Sequence, residues 1–103
     1  MAEEVYGSTE YSAEETLKDS FAEPPVKKVV FYNDDFTTME FVVDVLVSIF
    51  NKSPQVAHDI MVQVHEKGHS VVGIYTYDIA VSRTRLTVQT ARKNGFPLRV
   101  EVE

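Results

Sequence analysis

The sequence predicts an α+β fold, a small two-layer sandwich in which helices cover one face of a three-stranded antiparallel sheet. Three observations predict it. Short runs of β-branched and aromatic residues indicate strands, longer apolar runs between capping residues indicate helices, and the last six residues alternate as a half-buried strand does. In chain order these segments give β-α-α-β-α-β, with no internal repeat, so the helices are expected to cover one sheet face.

The first half of the domain contains one strand and two helices. Residues 28–32, Lys-Val-Val-Phe-Tyr, are expected to form a strand that is apolar on both faces. Residues 38–50 predict a helix that is apolar around most of its circumference and must be largely buried, and Asn51 ends it. A second helix over residues 54–67 has a serine cap, a proline at the favoured first helical position and a stop at Gly68.

The second half contains a strand, a helix and a strand. Residues 71–77 predict a strand in which Gly73 indicates a bulge or the close approach of another backbone. Thr76 can cap a third helix of about 17 residues, which ends at Asn94 and Gly95 before the final strand, residues 98–103. The third helix has a thin apolar stripe, formed by Ile79, Ala80, Leu86 and Ala91.

Charge divides the chain into an N-terminal extension, residues 1–25, and a core domain, residues 26–103. Of the 16 acidic residues, seven lie in the extension against Lys18 alone, which leaves nine acidic and nine basic residues in the domain. The extension has few large apolar residues and ends at Pro24 and Pro25, so we expect it to be disordered. An acidic extension and a neutral domain also argue against nucleic acid as a partner.

Composition excludes several further classes of protein. The 103 residues include no cysteine, which excludes disulfides and thiolate metal sites. The N-terminus lacks the basic segment and apolar run of a secretory signal, and no run approaches the roughly 18 apolar residues of a membrane span. We therefore expect a cytoplasmic, monomeric protein that does not bind membranes.

A polar turn, Asn33-Asp34-Asp35, separates the first strand from the first helix. Two adjacent carboxylates are poor strand formers and have no salt-bridge partner within the turn. Two interpretations are open. Asn and Asp commonly bond the local backbone in turns, and they can equally provide acceptors for a bound ligand.

The start of the first helix has the spacing of a capping box. Thr37 and Glu40 are three residues apart, so that each side chain can satisfy a backbone N–H at the helix start. Phe36 and Phe41 then occupy the positions of a hydrophobic staple.

A histidine borders the apolar stripe of the second helix. His65 lies one turn after Met61 and beside Val64, where it can point into a groove or cover the rim of the core. His58 is two turns away, too far for easy joint ligation of zinc. We therefore expect no metal and no cofactor.

Two segments of the sequence together resemble the ClpS family of Clp protease adaptors. They are residues 30–43, Val-Phe-Tyr-Asn-Asp-Asp-Phe-Thr-Thr-Met-Glu-Phe-Val-Val, and residues 61–68, Met-Val-Gln-Val-His-Glu-Lys-Gly. The resemblance covers residues 27–103 without evident insertions. It implies a non-enzymatic adaptor that recognises a destabilising N-terminal residue, an N-degron, and delivers the substrate to a Clp AAA+ unfoldase.

The resemblance also assigns roles to individual residues. Asn33, Asp34 and His65 match the family positions that contact the α-amino group of the substrate. The walls of the pocket for the N-terminal side chain, which takes Phe, Leu, Tyr or Trp, match Met39, Val42, Met61, Val64 and Leu98. The spacing agrees, because Met39 and Val42 are one turn apart on the first helix, as Met61 and His65 are on the second.

The chain departs from the family pattern at three positions. Thr38 replaces a common Pro, which should matter little if Thr37 starts the helix. Asp78 and Arg83 replace a common Glu and Lys on the surface that the family uses to dock on the N-terminal domain of a ClpA-like or ClpC-like unfoldase. These two residues are therefore the expected docking residues for the partner.

Two other classes share parts of the pattern. A receiver-like domain, which is a Mg-dependent phosphoacceptor, also has an acidic pair after its first strand, but it needs a further Asp at a later strand end and a nearby Lys. A ribosomal-stalk-like interaction domain has a similar small fold, but it would have an exposed basic helix, and the third helix here is only mildly basic.

Overall fold

The computed structural model describes residues 25–103, so the extension expected in residues 1–25 lies outside the described residues except for Pro25. The elements follow the expected order: β1 (Val26–Tyr32), α1 (Met39–Ser48), α2 (Pro54–Lys67), β2 (His69–Thr76), α3 (Tyr77–Lys93) and β3 (Arg99–Val102). The strands form an antiparallel sheet in the order β2-β1-β3, which confirms the predicted fold class.

The central strand β1 carries the core side of the sheet. Val29 and Phe31 are 0% exposed, and the Phe31 ring packs edge-on against Phe50 with centroids 5.6 Å apart. Leu46 on α1 is likewise fully buried. Burial of each such side chain contributes about 1.5 to 3 kcal/mol, so this core cluster stabilises the packing of β1 with α1 and the turn that follows it.

The first helix is shorter than the sequence predicted. It ends at Ser48 rather than at residue 50, because the chain turns at Ile49 and Phe50 before Asn51 adopts a left-handed φ of 56°. As expected, its apolar side chains are largely buried or half-buried, apart from Met39, which is 46% exposed. The cap of α2 is also as predicted: the Ser53 hydroxyl accepts a hydrogen bond from Val56 N, and Pro54 is the first helical residue.

The bulge predicted near Gly73 is present. Val29 pairs with Gly73 while Val30 pairs with Val71, so Val72 is an extra residue in β2. The close neighbour of Gly73 is a side chain rather than a backbone, since a Cβ there would lie 2.6 Å from the Tyr75 hydroxyl oxygen.

The third helix buries only part of the predicted apolar stripe. Ala80, Thr87 and Ala91 are fully buried, whereas Ile79 and Leu86 are 43% and 50% exposed. Thr87 can replace an apolar residue in the core because its hydroxyl donates to the Arg83 carbonyl one turn back. Thr76 occupies the N-cap position, but its side chain forms no capping hydrogen bond.

Candidate functional site

A cavity of about 370 Å³ lies where the turn after β1 meets the start of α1 and the last turns of α2. Its lining residues are Asn33, Asp34, Asp35, Phe36, Thr37, Thr38, Met39, Val42, Met61, Val64 and His65. The volume is at the small end of the range for ligand pockets, roughly 300 to 1,000 Å³. It is therefore suited to one large side chain and its backbone group rather than to a large cofactor.

The turn is held beside α2 by a backbone hydrogen bond. Asn33 N donates to the carbonyl of Gly68 at 2.9 Å. Gly68 has a φ of 90° and ends α2 in the left-handed conformation that only glycine adopts at little cost. This glycine therefore ends the helix and accepts the bond that places Asn33 near His65.

Asp34 organises the turn with its own side chain. Its Oδ1 accepts hydrogen bonds from Phe36 N at 2.8 Å and Thr37 N at 2.7 Å, and its Oδ2 accepts one from the Thr37 hydroxyl at 2.7 Å. This is the local backbone bonding that short acidic side chains provide in turns. The turn interpretation of Asp34 is thus confirmed, although the carboxylate also lines the cavity.

The helix start differs from the capping box that the sequence predicted. Thr38 is the N-cap, and its hydroxyl accepts a hydrogen bond from Phe41 N at 3.2 Å. The Thr37 hydroxyl is directed to Asp34, to which it donates a hydrogen bond, and it accepts no capping hydrogen bond from the described residues. The prediction of a hydrophobic staple is also wrong, since Phe36 is 75% exposed.

The electrostatics of the turn keep Asp34 ionised. Partial burial raises the pKa of its carboxyl, but the hydrogen bonds from the hydroxyl and N–H of Thr37 and from Phe36 N outweigh that effect. The positive charge of Arg92 adds to them, and the net pKa of Asp34 lies below its ordinary value. The guanidinium of Arg92 is held by the carbonyls of Phe96 and Leu98, to which its Nη1 donates at 2.9 and 3.0 Å.

Asp35 belongs to the turn that the sequence offered as a ligand site, but it was assigned no role of its own. It is exposed, it lines the cavity, and no hydrogen bond to its carboxylate forms among residues 25–103. The available signal was the Asp34-x-x-Thr37 spacing, which predicts that the first of the two carboxylates bonds the turn. The second carboxylate then keeps its acceptor capacity for a ligand.

The opposite wall of the cavity is apolar and comes from the two helices. Val42, Met61 and Val64 are 6%, 8% and 3% exposed, and they present a buried apolar surface to the cavity. Met39 is 46% exposed and lies at the first turn of α1. The structure therefore brings these four residues together with Asn33, Asp34 and His65 around one cavity. The spacing on the two helices agrees for the helical residues, whereas Asn33 and Asp34 were expected there only from the resemblance.

Three of the predicted functional residues lie elsewhere. Leu98 is 1% exposed in the core and is not among the lining residues of the cavity, because the segment before β3 packs inwards. Asp78 is exposed in the first turn of α3. The Arg83 guanidinium lies 5.2 Å from the centroid of the Tyr75 ring.

Two further properties concern the described part of the chain. Among residues 25–103, no three His, Cys, Asp or Glu side chains are placed to hold a metal ion. No helix of this part has the length and apolar character needed to cross a membrane.

Comparison with known proteins identifies the family. Residues 22–101 match the family model described as ATP-dependent Clp protease adaptor protein ClpS. The chain belongs to this family. The ClpS adapter protein of Treponema denticola is 47% identical over 87 residues, which cover 84% of this chain and 86% of that protein. The ClpS adapter protein of Myxococcus xanthus is 40% identical over 103 residues, which cover 100% of this chain and 96% of that one.

A solved ClpS structure shares the fold. Agrobacterium tumefaciens ClpS2 bound to L-phenylalaninamide superposes with a TM-score of 0.75 at 33% sequence identity, covering 79% of this chain and 98% of that chain. The ClpS relatives are named as adaptors of the ATP-dependent Clp protease, not as catalysts. Membership of the ClpS family favours neither the receiver-like nor the ribosomal-stalk-like alternative.

Proposed function

We propose that this protein binds the N-terminus of other proteins, taking the free α-amino group and a large apolar first side chain, Phe, Leu, Tyr or Trp, into one cavity. The observation that carries the proposal is the division of the cavity into an oxygen-rich turn and an apolar wall. L-phenylalaninamide, bound in the Agrobacterium relative, combines a free α-amine with an aromatic side chain, which supports the proposal. The bound protein is then delivered to a Clp AAA+ unfoldase, and no catalysis by this chain is involved.

The turn suits an α-ammonium group. A free α-amine has a pKa of roughly 7.7 to 8.0, so near neutral pH it is mostly an ammonium with three donors. Asn33 provides a side-chain carbonyl and His65, when neutral, a ring nitrogen. Hydrogen bonds to charged groups contribute about 1.5 to 3 kcal/mol each.

The two carboxylates of the turn have different parts in this proposal. Asp34 already accepts three local hydrogen bonds, so its remaining acceptor capacity at Oδ2 is small. Asp35 has both carboxylate oxygens available within the described part of the chain. The proposed ammonium contacts therefore include Asn33, Asp34 and His65, with negative charge from both carboxylates and free acceptor oxygens mainly from Asp35.

The apolar wall suits the first side chain. Burial of a large apolar side chain contributes about 1.5 to 3 kcal/mol. Neither this contribution nor the ammonium contacts alone would give micromolar affinity after the cost of association. Binding should therefore require both a free N-terminus and an apolar first residue.

Delivery requires a second surface. We propose that Asp78 and Arg83 on α3 dock on the N-terminal domain of a ClpA-like or ClpC-like unfoldase. Asp78, Ile79 and Tyr77 are exposed in the first turns of α3, outside the cavity. A bound substrate and a docked unfoldase therefore need not compete for the same residues.

A peptide titration tests the proposed binding. The protein is titrated with a fluorescent peptide that begins with Leu, and with the same peptide N-acetylated. Acetylation removes the charge and two of the three donors, so we expect the affinity to fall by about 100-fold or more. Equal affinity for the two peptides would overturn the proposal.

A further inference from the structure

A second depression lies beside the cavity, on the other side of Met39. It has a volume of about 240 Å³ and is lined by Met39, Glu40, Val43, Asp44 and Met61. Met39 and Met61 line both spaces, so these two side chains form the shared wall. A peptide held in the first cavity would therefore have the second depression as its immediate neighbour.

The chemistry of the second depression combines apolar walls with acidic groups. Met39, Val43 and Met61 provide the walls, while Glu40 and Asp44 provide two carboxylates one helical turn apart. Like charges at this spacing on a helix repel each other. No basic residue lies on α1, and no ion pair within residues 25–103 involves either carboxylate. A cation at this position would relieve the repulsion.

Lysine and arginine side chains match both properties. Their aliphatic stems pack along apolar surface while the charged head stays at the water boundary, where the carboxylates are. In an extended peptide, alternate side chains point to the same side and are roughly 6.6 Å apart along the chain. If the first side chain enters the cavity, the third side chain returns to the same surface.

We propose that the second depression binds the side chain of the third residue of the N-terminal peptide and selects lysine or arginine there. This inference rests on the proposed function, because the first residue has to be anchored in the cavity for the third to reach the depression. The ligand class becomes a free N-terminus with an apolar first residue and a basic third residue.

Isomeric peptides test the inference. Leu-Ala-Lys-Ala-Ala-Gly and Leu-Lys-Ala-Ala-Ala-Gly have the same net charge, so a general attraction to this acidic protein affects both equally. We expect the isomer with Lys at the third position to bind about threefold more tightly, the size of an exposed ion pair with some apolar contact. Equal affinities, or a preference for the second position, would overturn the inference.

A charge reversal locates the effect on α1. In Asp44→Lys the new lysine pairs with Glu40 one turn away and cancels its charge, so the preference for Leu-Ala-Lys-Ala-Ala-Gly over Leu-Lys-Ala-Ala-Ala-Gly should be lost. Asp59→Lys is the matched control, since Asp59 is an exposed acid on α2 that lines neither space. The control should keep the preference for lysine at the third position, and a loss of that preference in the control as well would overturn the inference.

The outcome can be separated from that of the proposed function. The parent peptide Leu-Ala-Ala-Ala-Ala-Gly and its acetylated form are titrated in the same series. Failure of the parent to bind, or binding that acetylation does not weaken, contradicts the proposed function. Strong, acetylation-sensitive binding of the parent together with equal affinities for the lysine isomers contradicts only the assignment of the second depression.

Discussion

The two walls of the cavity are built in different ways. The turn, Asn33 to Thr38, keeps its shape through hydrogen bonds made by side chains and by Asn33 N. The helical wall keeps its shape because Val42, Met61 and Val64 belong to the core. Substitutions in the turn should therefore alter whether an N-terminus binds at all, whereas substitutions in the helical wall should alter which first side chain is accepted.

The largest expected effect separates the two carboxylates of the turn. Asp35→Ala should weaken binding of a Leu-initiated peptide by more than about tenfold through the lost charge, with little change in Tm. Asp34→Ala should weaken binding to a similar extent and also lower the free energy of unfolding by about 1 to 3 kcal/mol, because three local hydrogen bonds are lost. Titration and thermal denaturation of both variants measure the difference.

These two variants are controls for each other. The structural role of the Asp34 carboxylate would be contradicted if Asp34→Ala is as stable as the original protein. The binding role of the Asp35 carboxylate would be contradicted if Asp35→Ala binds the peptide normally, since Asp34 would then be the sole source of charge.

The next effect is the dependence of the free energy of unfolding on pH, to which the Asp34 carboxylate contributes. Its folded-state pKa is lowered from 3.8, so its contribution to stability is present above the unfolded pKa and is lost as the pH falls through the folded pKa. Between about pH 5 and pH 2, the free energy of unfolding of Asp34→Asn should therefore depend less steeply on pH than that of the original protein. Identical slopes in urea denaturation series over this range would contradict the folded-state role of the carboxylate.

Met39 is the residue of the helical wall that we expect to select between first side chains. Its unbranched thioether can pack along a γ-branched or aromatic side chain but crowds a β-branched one at the mouth of the cavity. Met39→Ala should therefore admit N-terminal Val and Ile and reduce the preference for Leu over Ile by about threefold to tenfold. Leu86→Ala, at a half-exposed position on α3, is the matched control. Discrimination of Leu over Ile that is unchanged in Met39→Ala would rule out the selective role.

The difference between the walls also explains what sequence reasoning could predict. The resemblance assigned Met39, Val42, Met61 and Val64 to one pocket, and the helical spacing agreed; the structure has all four around one cavity because residues one turn apart share a helix face. The hydrogen bonds of the turn were harder to predict, since the adjacent pairs Asp34-Asp35 and Thr37-Thr38 can compete for the same backbone donors. The hydrogen bond from Thr37 to Asp34 decides that competition, moves the cap to Thr38 and leaves Asp35 available.

The errors on the fold have a related cause. Leu98 and Leu86 are both leucines on predicted apolar positions, yet the first is 1% exposed in the core and the second is 50% exposed. Thr87 takes the core position instead because its hydroxyl bonds the Arg83 carbonyl. Sequence periodicity cannot resolve such one-residue shifts, because the choice depends on the path of β3 and of the segment before it.

The smallest expected effect on binding concerns residues 1–25. The described residues that line the cavity all lie between Asn33 and His65, so a truncated chain that begins at Pro24 should bind a Leu-initiated peptide with an affinity within about twofold of the original. If the segment is disordered, as its composition predicts, a chain of this length has a root-mean-square span of roughly 25 to 30 Å. We propose that the unfoldase pore grips it, so that pulling on the adaptor is coupled to transfer of the substrate. The truncated chain should then bind peptide and dock on the unfoldase but fail to accelerate degradation of a Leu-initiated substrate. Degradation at the full-length rate would show that the segment has no part in delivery.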